Sequence, residues 1–171
     1  MDFDAVVAFH GHRCPGLAIG YRLTLAALAA LEEGRAADDE LVAITENDAC
    51  GVDALQYLAG CTFGKGNLQF LDYGKQAYTL FSRRSRRGVR VVFHRDRLPP
   101  ELEGDRPALT GHILQAPAAD IITVTPVAMV EPERARARCS VRCPICGEMV
   151  METRLKERGG RQVCVPCAER A

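Results

Sequence analysis

Four cysteines in the last thirty or so residues set the strongest constraint on how this chain folds. Cys143 and Cys146 form one C-x-x-C pair, Cys164 and Cys167 form another, and seventeen residues separate them. Each pair closes a tight knuckle that aims two sulfurs at one point. Two knuckles supply the four tetrahedral ligands of a closed Zn²⁺ site. Between them the sequence reads as a hairpin turning at Gly159 and Gly160. So short a segment has little core of its own, and zinc binding supplies most of its folding free energy. The spacing therefore predicts a small finger, treble-clef or zinc-ribbon-like, holding a structural zinc on Cys143, Cys146, Cys164 and Cys167. Cys139 lies just outside the pattern and reads as a spare or buried thiol.

The chain carries eight cysteines in 171 residues and begins MDFDAVVAFH. That opening is acidic, without the basic, apolar layout of a signal peptide. The most apolar run, residues 23–31, is too short to span a bilayer. We therefore expect a cytoplasmic protein with no membrane partner. In a reducing compartment, cysteines serve as metal ligands or reactive thiols before they serve as disulfides. Formal net charge is zero, so no whole-chain field recruits nucleic acid or membrane. From Glu131 onward nine arginines and lysines face six glutamates, and no aromatic residue is present to stack on bases. The finger thus lacks the usual footprint of a nucleic-acid module.

Ahead of the finger, helical and strand patterns interleave without a steady βαβ rhythm, which predicts an α+β core domain. Helices are expected over residues 3–9, 15–33, 52–59 and 108–115. Strands are expected over 41–45, 67–71, 77–81, 89–94 and 121–127. Arginines 83, 84, 86 and 87 read as a solvated turn. The second helix starts at Pro15, carries the stripe Leu17, Tyr21, Leu25, Leu28 and Leu31, and stops at Gly34. It is apolar nearly all round, so it must be covered by its own domain or by a partner chain, and a homodimer is expected. From Glu131 the apolar periodicity is lost. We expect a core domain over residues 1–130, a linker over 131–139 and the finger over 140–171.

The core domain has its own Cys/His constellation. His10, His12 and Cys14 fall within five residues, among glycines and a proline. Cys50 precedes the next helix and Cys61 follows it. Helix N-termini favour thiolate, and both Cys14 and Cys50 occupy that position. A continuous helix over 51–60 would separate Cys50 from Cys61 by about 16 Å along its axis. Hence His12, Cys14 and Cys50 are the expected ligands of a second metal ion. Cys61 is the alternative if the helix begins late or kinks at Gly51. Asp53 lies on the same helical face as Cys50 and can orient a histidine or act as acid or base. Lys65, in the loop TFGKGN, can neutralise an anionic group of a small-molecule ligand.

These residues resemble a known family. FHGHRCPGLAIGYR (residues 9–22), DACGVDALQYLAGCTFGKGNL (48–68) and DYGKQAYTLFSR (72–83) are similar to the FmdE family, which is named for formylmethanofuran dehydrogenase. CPICGEMVMETRLKERGGRQVCVPC (143–167) resembles the zinc finger that many members carry. The resemblance implies an α+β core followed by a treble-clef-like finger, intertwined dimers, and a metal-associated site near the HGH-x-C and Cys50 motifs. The family name refers to an enzyme of one-carbon metabolism that interconverts carbon dioxide and a formyl group on methanofuran with a molybdenum or tungsten pterin. Nothing in this sequence is suited to holding a pterin or iron–sulfur clusters. The first expectation is a metalloprotein acting on or delivering a small molecule. The alternatives are an accessory component whose finger docks a larger oxidoreductase, and a nucleic-acid-binding regulator.

Overall fold

A computed structural model describes residues 2–170. The chain divides into two compact units, Met1–Arg134 and Ala135–Ala171. The first contains α1 (Phe3–His10), α2 (Pro15–Leu31), β1 (Leu41–Thr45), α3 (Gly51–Ala59) and β2 (Leu68–Phe70). It continues through β3 (Ala77–Ser82), β4 (Arg87–Phe93), α4 (Arg106–Gln115), α5 (Ala118–Ile121) and β5 (Ile122–Val127). Its five strands form one sheet in the order β2-β1-β3-β4-β5. β1 and β2 run parallel, and every other pairing is antiparallel.

Alternation along the strands sends Leu41, Ala43, Tyr78, Leu80, Val89, Val91 and Phe93 into one core with the helices. α2 lies across this face and packs on β3, β4 and β5, with α3 and α4 against it. Its fully buried residues include Leu17, Ala18, Leu23, Ala27 and Leu31, whereas Tyr21 and Leu25 of the expected stripe are only half-buried. The domain itself covers this helix, so the helix alone gives no reason to invoke a partner chain.

The structure moves several expected boundaries. α2 ends at Leu31, before Gly34, because Glu32 takes the left-handed conformation (φ 57°) and the Glu33 N–H closes on the Leu28 carbonyl at 3.0 Å. A tertiary contact fixes this turn, since the Glu33 carboxylate accepts from Ser82 Oγ at 2.6 Å and pairs with Arg84. α4 begins two residues early, where Asp105 caps it through the Ala108 N–H at 2.9 Å. Ile121 closes a short helix, and β5 starts one residue later. The arginine turn is not simply solvated. The side chain of Arg83 is 5% exposed and donates to the Asp39 and Pro132 carbonyls and to the Glu131 carboxylate.

The second unit holds two hairpins and a helix. β6 (Ser140–Arg142) pairs with β7 (Met149–Met151), β8 (Leu155–Arg158) pairs with β9 (Arg161–Cys164), and α6 spans Val165–Glu169. The β8–β9 turn places Gly159 and Gly160 at φ 57° and 71°, the positive-φ pair that a two-residue hairpin requires. Among the described residues, no helix is long and apolar enough to cross a membrane.

Candidate metal centres

Two knuckle turns and a helix N-terminus build the four-cysteine centre. Cys143 and Cys146 flank the β6–β7 turn, Cys164 ends β9, and Cys167 lies in α6. All four sulfurs fall within 4.8 Å of one another. The Cys164 N–H points at Cys143 Sγ from 3.5 Å, and backbone N–H groups of Cys164 and Cys146 bring the Cys143 thiol down to about 6. Hydrogen bonds to the charged form favour thiolate. Val163 and the buried cysteines make up most of this unit's small core.

Close contact between α2 and α3 produces the second cluster. Cys14 caps α2, with its Sγ accepting from the Leu17 N–H at 3.4 Å. Cys50 occupies the corresponding position on α3. Gly16 and Gly20, one turn apart on α2, let the start of α3 settle onto the helix surface. A Cβ on Gly16 would lie 3.3 Å from Cys50 Cβ, and one on Gly20 would lie 2.1 Å from the Gly51 carbonyl oxygen. α1 delivers the histidines. It ends at His10, Gly11 reverses the chain at φ 101°, and the His10 and His12 rings face each other with centroids 4.5 Å apart.

One ligand atom each from His10, His12, Cys14 and Cys50 lie within 4.8 Å of one another. Asp53, in the first turn of α3, meets His10 Nδ1 through Oδ2 at 2.7 Å and accepts from Gln56 Nε2 through Oδ1 at 3.3 Å. His10 Nε2 is buried and has no hydrogen-bond partner. A carboxylate on one ring nitrogen with the other left free is how a protein presents a histidine to a metal ion. Two sulfurs with two imidazoles make a donor set suited to zinc and other thiophilic ions. Burial, and then the neighbouring Cys14, hold the Cys50 thiol above its ordinary value. Binding a cation would reverse that preference.

Of the sequence-derived candidates, the structure brings His12, Cys14, Cys50 and Asp53 together. It adds His10, which the three-ligand set omits. The signal for His10 was present in the HGH spacing, because a glycine at positive φ folds two flanking histidines to the same side. Cys61 lies beyond the far end of α3, fully buried, with its Sγ 3.5 Å from the Leu41 carbonyl oxygen and its thiol pushed up to about 12 by burial. The helix starts at Gly51 without delay, so Cys61 is not part of the cluster. Lys65 is also elsewhere, its ammonium donating to the Asp38 carbonyl at 2.8 Å. A cavity of about 390 Å³ opens beside the cluster, where His10, Cys50 and Asp53 meet Asp48, Phe63 and Phe70. Lys65 does not line it. Under the cluster lies Tyr78, fully buried, its hydroxyl without a hydrogen-bond partner. Burial first, then the nearby Asp53 and Cys50, raise its acid constant and keep it protonated.

Fold and sites together define a two-part metal-binding protein, an α+β domain with a Cys/His cluster followed by a four-cysteine zinc finger. More particularly, the chain belongs to the FmdE family, described as "FmdE, Molybdenum formylmethanofuran dehydrogenase operon", which matches residues 9–121. The prokaryotic dksA/traR C4-type zinc finger matches residues 136–171. A crystal structure of an FmdE-like protein of tungsten formylmethanofuran dehydrogenase type, from Syntrophus aciditrophicus, is 29% identical and has a TM-score of 0.74. The match covers 97% of this chain and 89% of that one. A protein of Archaeoglobus fulgidus described as "Probable S-adenosyl-L-methionine-binding protein" is 29% identical over 94% of this chain. This chain spans 50% of that protein's length.

Proposed function

We propose that this is a cytoplasmic metalloprotein that holds a metal ion on His10, His12, Cys14 and Cys50 and exposes it to a small molecule in the adjoining cavity. The observation that carries the reading is His10, whose Nδ1 is fixed by Asp53 while its buried Nε2 points into a thiol-bearing cluster without a partner. A bound divalent ion there supplies Lewis acidity. The chain's own part is to orient the ring through Asp53, hold two sulfurs at the ends of two helices, and shape the cavity. Family membership supports a place in one-carbon metabolism or around molybdenum and tungsten enzymes. In the finger, the four-cysteine set supports zinc.

The cavity lining favours a neutral or cationic ligand with an apolar portion. It offers the carboxylates of Asp48 and Asp53 and the rings of Phe63 and Phe70, with no lysine or arginine among its described residues. The description of the Archaeoglobus relative fits this chemistry, because a sulfonium is a cation and aromatic faces attract cations. The test is metal per chain in full-length His10→Ala, His12→Ala, Cys14→Ser and Cys50→Ser proteins, with Cys61→Ser as the control. We expect two metals in the parent and the control, and one in the other four. Two metals retained in all four would remove the proposal.

A second reading, in which the finger docks a larger oxidoreductase, is favoured by the apolar surface of the β6–β7 hairpin. Val141, Ile145, Met149 and Met151 are each at least 41% exposed there. Co-purification with one defined oxidoreductase, lost in a Met149→Ser/Met151→Ser double variant, would support it.

A further inference from the structure

Tyr78 is the one fully buried tyrosine among the largest core side chains, and it points its hydroxyl at the seam between the two cysteine-bearing helices. The place is fixed by three neighbours. A Cβ built on Gly51 would lie 2.5 Å from the hydroxyl oxygen, 2.9 Å from the Gly16 carbonyl oxygen and 3.0 Å from Gly20 Cα. The hydroxyl therefore sits beneath the first residue of α3, next in sequence to Cys50, and beside the first turn of α2, which Cys14 caps. It makes no hydrogen bond there. Buried hydroxyls are normally satisfied, and phenylalanine would fill the same space without an orphaned donor. A donor kept in such a place implies an acceptor that appears in another state of the protein.

We infer that Tyr78 is a positioning residue of the metal centre, with its hydroxyl held for the Cys50 sulfur in the metal-bound thiolate form. This rests on the metal-centre reading above. Cys50 is a better acceptor than Cys14, because the Cys14 sulfur already accepts from the Leu17 N–H while Cys50 makes no cap bond to its own helix. A neutral thiol is a weak acceptor and a thiolate a strong one, so the bond forms when metal displaces the proton. The donor then fixes the sulfur's orientation and withdraws electron density from it, as outer-shell partners of metal ligands do.

The test compares full-length parent and Tyr78→Phe proteins loaded with Co²⁺, using Cys50→Ser to mark which part of the sulfur-to-cobalt charge-transfer absorption belongs to the core site. We expect Tyr78→Phe to keep its fold without metal, to bind Co²⁺ about 10–100-fold more weakly at the core site, and to move the core band to longer wavelength. Should that variant not fold, the parent labelled throughout with 3-fluorotyrosine, a stronger donor, is expected to move the core band to shorter wavelength. A core band present in the parent but unmoved by the variant or the label overturns the role of Tyr78 and leaves the metal centre standing. That outcome would assign the hydroxyl to the Gly16 carbonyl. Absence of any band sensitive to Cys50→Ser overturns both.

Discussion

Gly20 and Gly51 are in van der Waals contact across the α2–α3 crossing, and no side chain fits at either position. A Cβ on Gly20 would lie 2.1 Å from the Gly51 carbonyl oxygen and 2.3 Å from its Cα, all of it backbone that cannot swing aside. Because Cys14 and Cys50 cap these helices, this contact also sets the distance between the two sulfurs.

Gly20→Ala should therefore separate the helices and spoil the Cys/His cluster together. Over-packing of this kind costs about 1–3 kcal/mol. Thermal unfolding and metal content of the purified protein check it. We expect a lower Tm and loss of the core metal, with the finger metal retained.

Asp53→Asn keeps the shape beside His10 but removes the charge that holds its Nδ1. Outer-shell changes of this sort weaken metal affinity by about 10–100-fold. Competition with a chromophoric chelator should show the weakening at the core site alone. Equal affinities in the parent and variant would mean that Asp53 does not orient a metal-ligating ring.

Cys143→Ser or Cys164→Ser should each remove one metal per chain and open residues beyond about 138 to proteases. The four-cysteine cluster is most of that unit's core, so its fold depends on the ion. Limited proteolysis with mass spectrometry reads this directly. A resistant, metal-free finger would contradict it.

Glu46 and Arg90 form a two-pronged pair at 2.6 and 2.9 Å, with the Glu46 side chain 8% exposed. The Arg90 hydrogen bond holds the Glu46 carboxyl below its usual range. A depressed folded-state value means that the pair stabilises above the unfolded value of about 4.3 and ceases to do so as pH falls through the folded one. Glu46→Gln should thus cost about 1.5–3 kcal/mol at neutral pH, and the difference from the parent should vanish in strong acid. Urea midpoints of the metal-free proteins across pH 3–7 measure it. A difference that persists unchanged to pH 3 would point to packing and away from charge.

The sequence by itself determined whatever rests on local spacing. The two C-x-x-C pairs and the Gly159-Gly160 turn define the finger because knuckles and two-residue hairpins are made by residues adjacent in the chain. The α+β character of the first domain, and the placing of Cys14 and Cys50 at helix starts, follow from period and capping in the same way. Only the tertiary structure decided which of these groups meet. His10 joins the cluster because Asp53, forty-three positions away, holds its ring. Lys65 is excluded because the Asp38 carbonyl claims its ammonium. Arg83 is drawn inward by acceptors from two distant segments. Tyr78 reads in sequence as one more β-strand aromatic, and only the crossing of α2 over α3 places its hydroxyl under Cys50. Periodicity fixes the face on which a side chain lies, but the partner it finds across that face depends on how helices pack, and here two glycines without side chains set that packing.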